Sequence, residues 1–302
     1  MKDFAGQLAF ITGGASGAGF GQAQVFGKLG CRIVIADIRA EAVEKAVAQL
    51  KDMGITAHGI TLDITDRAAY AAAADEVERV FGQAPTLLFN TAGVNNFGPI
   101  EQTTYGDFDW LIGVNLGGVV NGMVTFVPRM IASGKPGHIV SVSSLGGFTG
   151  SALAGPYSAA KAAVINLMEG YRQGLEKHDI GVSVVCPANI KSNIAEATLT
   201  RSAAYGESGY VEGAEAIASL QSIYQHGMEP TELAENIKRG IEANALYIIP
   251  YPETKDMLAA HFAAIVDSVP GIETDPEGAR KRTEALMDWG ANGAQVFVKG
   301  KS

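Results

Sequence analysis

Cations, cysteines and long apolar runs are all scarce in this chain. Lys and Arg number 23 against 32 Asp and Glu, which leaves a net charge of −9. Nucleic acids and anionic membrane surfaces need clustered cations, so neither is an expected partner, and a small neutral or cationic molecule fits better. The two cysteines, Cys31 and Cys186, form no CxxC and no evident pair; each falls in a predicted buried strand, which points to structural burial. Five histidines, His58, His138, His178, His226 and His261, lack metal-ligand spacing, so no metal site is predicted. Near the start the longest apolar run is Leu8 to Ile11, far short of a signal-peptide core or a membrane span, and the expected location is cytoplasmic. No linker, internal repeat or low-complexity segment divides the chain, so a single domain over residues 1–302 is expected.

What is present is the composition of a well-cored globular protein, 47% hydrophobic and 18% charged. Strands are predicted at Leu8–Thr12, Arg32–Asp37, Ala57–Leu62, Thr86–Asn90, Gly137–Val142, Gly181–Cys186 and Tyr247–Ile249, with helical patterns between them. The longest helices fall at Thr104–Ala132 and Gly155–Lys177. This alternation predicts a single-domain α/β fold of the Rossmann type, a doubly wound parallel sheet of about seven strands with helices on both faces. Residues 193–228 read as irregular and partly helical, and from about 250 to 302 as a helical extension, with helices near Glu253–Asp267 and Pro276–Trp289.

The first strand enters its helix through Gly13, Gly17 and Gly19, spaced Gly-x-x-x-Gly-x-Gly. Such a turn offers backbone N–H groups and a positive helix end to a pyrophosphate. Asp37 ends the second strand, eighteen residues past Gly19, where an acceptor-only carboxylate can bind ribose hydroxyls and would repel a 2′-phosphate. NAD is therefore favoured over NADP. Arg39 carries a guanidinium able to bind such a phosphate, but reads as a solvated loop residue.

Further on stand Ser144, a tyrosine thirteen residues later and a lysine four beyond that. Tyr157 and Lys161, at i and i+4, share one helix face. A free phenol titrates near pH ~10 and is a poor base at neutral pH unless a nearby cation favours its charged form. Lys161 is placed to do that. Spacing alone decides little, because Tyr251 and Lys255 repeat it; there Pro252 pushes Tyr251 out of the α region, and no serine lies thirteen residues upstream.

With these pieces in order, the chain resembles the short-chain dehydrogenase/reductase family from Thr12 to about Ser192. Thr12 to Gly19 matches the family's cofactor turn, and Ser16 and Ile38 stand where NADP-preferring relatives carry basic residues. Asp63, followed by Ile64, matches the adenine-contacting aspartate. Asn90-Thr91-Ala92-Gly93 matches an Asn-Asn-Ala-Gly motif with one substitution, and Asn115, Ser144, Tyr157 and Lys161 match the catalytic tetrad. Pro187-Ala188-Asn189-Ile190-Lys191-Ser192 corresponds to a Pro-Gly-x-x-x-Thr segment whose last hydroxyl serves the nicotinamide carboxamide. The resemblance implies a Tyr157 phenolate as base, with Lys161 lowering its pKa and bonding the nicotinamide ribose. Ser144 then holds the substrate oxygen, and Asn115 holds a relay water. From the residues alone, the alternative for Asn115 is a helix-kinking polar residue satisfied by backbone, and its order with the other three favours the relay. A homodimer or homotetramer built through the two long helices is also implied.

The runs Asn95–Pro99, Ser143–Phe148, Pro187–Ile194, Ala245–Pro252 and Asp275–Ala279 are further similar to the bacterial Cα-dehydrogenases of lignin β-aryl ether catabolism. That similarity implies NAD⁺-dependent oxidation of the benzylic secondary alcohol of arylglycerol β-aryl ether dimers to the ketone. Candidate substrate contacts lie in the loops after the fourth, fifth and sixth strands: Asn95 and Phe97, Leu145 and Phe148, Asn189 and Tyr205, with residues 193–228 as a lid. Tyr210 is a further aromatic of that lid. Cations there are few, chiefly Lys191 and Arg201, which favours a neutral, bulky, partly aromatic alcohol. Two alternatives are a dehydrogenase or reductase of another bulky neutral alcohol or ketone, steroid- or dione-like, and a non-catalytic NAD-sensing protein. The complete tetrad counts against the second.

Overall fold

The computed structural model describes residues 1–271 and 274–291. Seven strands, β1 (Leu8–Thr12), β2 (Arg32–Asp37), β3 (Ala57–Thr61), β4 (Leu87–Asn90), β5 (Gly137–Val142), β6 (Ile180–Val185) and β7 (Tyr247–Ile248), form one parallel sheet ordered β3-β2-β1-β4-β5-β6-β7. The order reverses between β1 and β4. In an open parallel sheet that switch point leaves a crevice at the carboxyl ends of the strands.

Alternation along each strand decides which helix covers which face. Leu8 and Phe10 of β1, with Val34 and Ala36 of β2, face α3 (Arg67–Phe81), α5 (Gly118–Ser133) and α6 (Gly155–Leu175). Ala9 and Ile11, with Ile33 and Ile35, face α1 (Gly17–Lys28), α2 (Ala40–Asp52) and α8 (Pro230–Glu242). Phe10, Tyr70 and Phe126 cluster in the first layer at ring separations of 4.6 to 6.2 Å, and Phe26 meets Phe89 at 4.9 Å in the second. Cys31 and Cys186 sit one residue outside β2 and β6, both buried, and burial pushes each thiol up to about 12.

The predicted long helix begins as α4 (Tyr105–Ile112), opens into a π turn at Gly113–Gly117 and continues as α5. A capping box starts it, with Thr104 Oγ1 accepting from Asp107 N at 3.2 Å and Asp107 Oδ2 accepting from Thr104 N at 3.0 Å. The span Tyr105–Ser133 is long and apolar enough to cross a membrane, but Trp110, Leu111, Met123, Phe126 and Met130 spend that apolarity inside the protein.

After β6 come 3₁₀ turns at Asn193–Thr200 and Ala203–Tyr205, then α7 (Ala214–Tyr224). The chain divides into two compact units, Met1–Pro252 and one beginning at Glu253. The second contains α9 (Lys255–Asp267) and α10 (Pro276–Ala291), and Arg280 pairs with Glu277 and Glu284 along α10. The predicted helical extension is therefore a unit of its own.

Candidate active site

A cleft of about 790 Å³ opens at the carboxyl ends of the strands. At one end the glycine turn takes left-handed backbone at Gly13 (φ 64°) and Gly17 (φ 50°). A Cβ on Gly13 would stand 2.8 Å from Ala92 Cα, and one on Gly17 2.7 Å from Ser192 Cβ, so the turn is pressed between two neighbouring loops. The residue capping α1, Ser16, makes no side-chain cap bond, and the first turn holds no acidic residue. Its N–H groups and positive dipole end are thus left for an anion, a donor set that fits a pyrophosphate.

Asp37 is buried beside this turn, and Arg39 is not the solvated residue expected. Its Nε donates to Asp37 Oδ1 at 3.0 Å, and its Nη2 donates to Asp37 Oδ2 at 3.1 Å and Ser16 Oγ at 2.9 Å. A fork facing a carboxylate two residues away finds it without any loop rearrangement. Asp63, Ile64, Ala92, Gly93, Pro187, Ile190 and Ser192 also line the cleft. Three predicted cofactor residues do not. Thr12 Oγ1 accepts from Thr91 N and Ala92 N at 2.9 and 3.1 Å, and Asn90 Nδ2 donates to Ser141 Oγ at 3.1 Å, so both fix strand ends behind the cleft. Gly19 packs under the turn, where a Cβ would lie 2.3 Å from Gly13 O.

Ser144, Tyr157 and Lys161 line the middle of the cleft together. Lys161 Nζ donates to Val142 O at 3.1 Å and lies 5.6 Å from the Tyr157 ring centroid. Ser143 Oγ donates to Lys161 O at 2.7 Å, tying α6 to the end of β5. Burial pushes the Tyr157 phenol up to about 12, against a lowering hydrogen bond from Ser144 and with a further raising influence from Tyr224. Burial also lowers Lys161 to about 8. In the protein alone, enclosure therefore outweighs the lowering of Tyr157 that Lys161 was expected to supply.

Asn115 lies in the π turn, fully buried. Its Nδ2 donates to Val94 O and Leu111 O, both at 2.9 Å, and its Oδ1 accepts from Val94 N at 3.1 Å. The side chain thus clips the loop after β4 to the helix. Gly93 runs between it and Lys161: a Cβ there would lie 2.8 Å from Asn115 Oδ1 and 3.4 Å from Lys161 Nζ.

Residues 193–228 cover the other end. Their base is pinned where Lys191 N donates to Met228 O at 3.0 Å and Met228 N to Asn189 O at 2.9 Å. The Tyr251 of the repeated spacing serves here, its hydroxyl donating to Asn189 O at 3.0 Å. The middle of the segment is held by Asp107, which accepts from Ser208 Oγ at 2.7 Å, Gly209 N at 3.0 Å and Arg201 Nη2 at 3.4 Å. Burial pushes the Asp107 carboxyl up, but the hydrogen bonds from Thr104, Gly209 and Ser208 outweigh it and hold the group below its usual range. Asn96 Nδ2 adds bonds to Ser208 Oγ at 3.1 Å and Glu212 Oε1 at 2.8 Å.

Among the candidate substrate contacts, Phe97, Leu145, Asn189 and Tyr205 line the cleft, with the Phe97 ring 5.9 Å from that of Tyr157. Asn95 and Phe148 do not. Asn95 is buried and donates from Nδ2 to the Tyr224 hydroxyl at 2.9 Å, while Phe148 turns away to lie 6.4 Å from the Tyr247 ring. Tyr210 is buried against Gly98, its hydroxyl 2.5 Å from Thr103 Oγ1. Trp110 and Tyr224 are lining residues that the sequence did not reveal. Trp110 and Val114, four apart, read as an ordinary core stripe, and Tyr224 belongs to no motif.

A parallel sheet of this order, with a glycine turn at its switch point, is the architecture of dinucleotide-binding oxidoreductases. Residues 7–202 match the family model for short chain dehydrogenase, and the chain belongs to that family. It is 75% identical over 300 residues to the C alpha-dehydrogenase of Sphingobium sp. (strain NBRC 103272 / SYK-6), covering 99% of this chain and 98% of that protein. The solved apo form of LigD from Sphingobium sp. strain SYK-6 is similar at 67% identity and a TM-score of 0.77, over 89% of this chain and 100% of that one. A short chain dehydrogenase/reductase from Burkholderia phymatum, solved in complex with NAD, is 28% identical with a TM-score of 0.82, over 90% of this chain and 99% of that one.

Proposed function

We propose that the protein oxidises the benzylic (Cα) secondary alcohol of arylglycerol β-aryl ethers to the ketone, using NAD⁺. The observation that carries this is the 75% identity with a C alpha-dehydrogenase over 300 residues, a match that covers 99% of this chain. The chemistry of the wall supports it: Phe97, Trp110 and Tyr205 suit aromatic rings. Neither Lys191 nor Arg201 lines the cleft, the first paired with Glu229 and the second with Asp107, which leaves the wall poor in cations for an anionic substrate.

When bound, NAD⁺ supplies the hydride acceptor and a positive ring that favours the phenolate. Gly13, Ser16, Gly17 and the start of α1 would hold its pyrophosphate, Asp37 the adenosine ribose, Asp63 and Ile64 the adenine, and Ser192 the carboxamide. Lys161 would bond the nicotinamide ribose. Tyr157, as the phenolate that Lys161 stabilises from one turn away, takes the proton of the alcohol hydroxyl as the carbinol hydrogen leaves as hydride. Ser144 fixes the carbinol oxygen by hydrogen bonding to it. Both amide hydrogens of Asn115 are used by Val94 and Leu111, so a relay water would have to donate to one of its oxygens.

The reading treats residues 193–228 as a substrate lid on a single catalytic domain, with the residues from about 250 as an extension. Membership of the family supports a homodimer or homotetramer, formed in this reading through α4, α5 and α6. A cytoplasmic location fits the crystallised relatives. The deciding assay is NADH formation from resolved stereoisomers of an arylglycerol β-aryl ether beside steroid and aliphatic alcohols. Turnover of the latter with none of the ethers overturns the substrate assignment.

A further inference from the structure

We infer that Tyr224 is a substrate-positioning residue: its phenolic O–H donates to an oxygen of the bound alcohol that is not oxidised, and so selects for substrates carrying an oxygen close to the reacting carbinol. This deepens the proposed arylglycerol reading and rests on it.

Tyr224 closes α7 and lines the same cleft as Tyr157 and Ser144. Asn95 Nδ2 donates to its hydroxyl oxygen at 2.9 Å. An amide nitrogen can only donate, so this bond occupies a lone pair of the phenol and leaves the phenol hydrogen unused. Both phenols line one cleft, and no hydrogen bond joins Tyr224 to Tyr157 among the described residues. Asn95 is 1% exposed and held within the loop that Asn115 clips to the helix, so the Tyr224 oxygen has a rigid support.

Burial raises the pKa of Tyr224 as well, so at neutral pH its phenol keeps its hydrogen. The two phenols thereby divide the work: one takes a proton, and the other gives only a hydrogen bond. In an arylglycerol β-aryl ether the carbinol has two oxygens nearby, the γ-hydroxyl and the β-ether oxygen, and either can accept.

The test compares wild type, Tyr224→Phe and Asn95→Ala on three alcohols: the full dimer, an analogue without the γ-carbinol, and a 1-aryl-1,3-propanediol without the aryl ether. On the dimer, Tyr224→Phe should lower kcat/KM about tenfold, mainly through KM, because a hydrogen bond to substrate is lost without touching the base. The loss should persist on the analogue that retains the contacted oxygen and shrink below about twofold on the one lacking it, which identifies the acceptor. Asn95→Ala should reproduce part of the loss with the same dependence on substrate. An equal loss on all three alcohols, or none on any, overturns the inference. A wild-type enzyme inactive on all three instead defeats the substrate reading. Tyr224 is then judged by the same comparison on an oxygenated alcohol that is turned over and its deoxy analogue.

Discussion

The carboxylate of Asp107 meets the guanidinium of Arg201 at 3.4 Å, with the two side chains only 0% and 6% exposed. One partner opens a core helix and the other lies in the segment over the cleft. Arg201 also stands 5.7 Å over the Trp110 ring and bonds the carbonyls of Tyr205 and Gly206. Breaking a buried pair from one side costs about 3 kcal/mol or more, because the remaining charge is left unpaired. Asp107→Asn should therefore loosen residues 201–210 while the sheet stays intact. Limited proteolysis should show new cleavage there, and kcat/KM for the bulky alcohol should fall at least tenfold with NADH affinity within about twofold.

Tyr157→Phe removes the proposed base and nothing else. Turnover should fall by a factor on the order of 10³, and NADH binding, followed by fluorescence titration, should be nearly unchanged.

The pH profile follows from the same phenol. Burial pushes Tyr157 up to about 12 in the protein alone, so the base form is scarce at neutral pH and becomes commoner as pH rises. Alcohol oxidation should accelerate from neutral toward alkaline pH, while ketone reduction, which needs the protonated phenol, should not. Measuring kcat/KM in both directions checks the sign.

Arg39 sets a second balance. Asp37 disfavours a 2′-phosphate, and Arg39 both neutralises Asp37 and stands ready to bind that phosphate. Asp37→Ala should narrow the preference for NAD over NADP, and Arg39→Ala should widen it. Ratios of kcat/KM for the two cofactors measure both.

Acid stability should carry the mark of His138, which burial lowers to about 3. Ser183 Oγ donates to Ala245 O and so accepts from His138 Nε2 at 2.8 Å, which assigns the neutral Nε2–H tautomer. Unfolded histidine titrates near ~6.5, so between that value and about 3 the unfolded state holds one more proton than the native state. Stability is then fully present above pH ~6.5 and falls as pH drops, by up to about 1.4 kcal/mol per pH unit for this one group. In His138→Gln that slope should be smaller by about one proton, as read from urea unfolding midpoints across the acid range.

The sheet and the meeting of Tyr157 with Lys161 in the cleft were legible because both are written locally. Alternation in β1 and β2 names the two faces, and Tyr157 and Lys161 need only one helical turn to meet. The contacts that shape the cleft join residues far apart in the chain. Asn95 reaches Tyr224, and Asp107 reaches Ser208 and Gly209, through side chains whose types alone announce nothing. Arg39 was misread for a different reason. In sequence it is a charged loop residue like any other, and only the fold of the turn brings Ser16 within 2.9 Å of it. Phe148 failed as a substrate contact because its loop turns inward after Leu145, toward the Tyr247 ring.

The two backbone bonds between Met228 and residues 189 and 191 make the cover over the cleft a closed loop on a fixed neck. Lengthening such a loop costs little, roughly 0.6 kcal/mol for each doubling. Changes of length between the neck residues that keep Arg201, Ser208 and Gly209 on Asp107 can therefore accumulate without disturbing β6 or the glycine turn. An evolving lineage can reshape the rest of this cassette while the residues of the cleft floor are inherited unchanged.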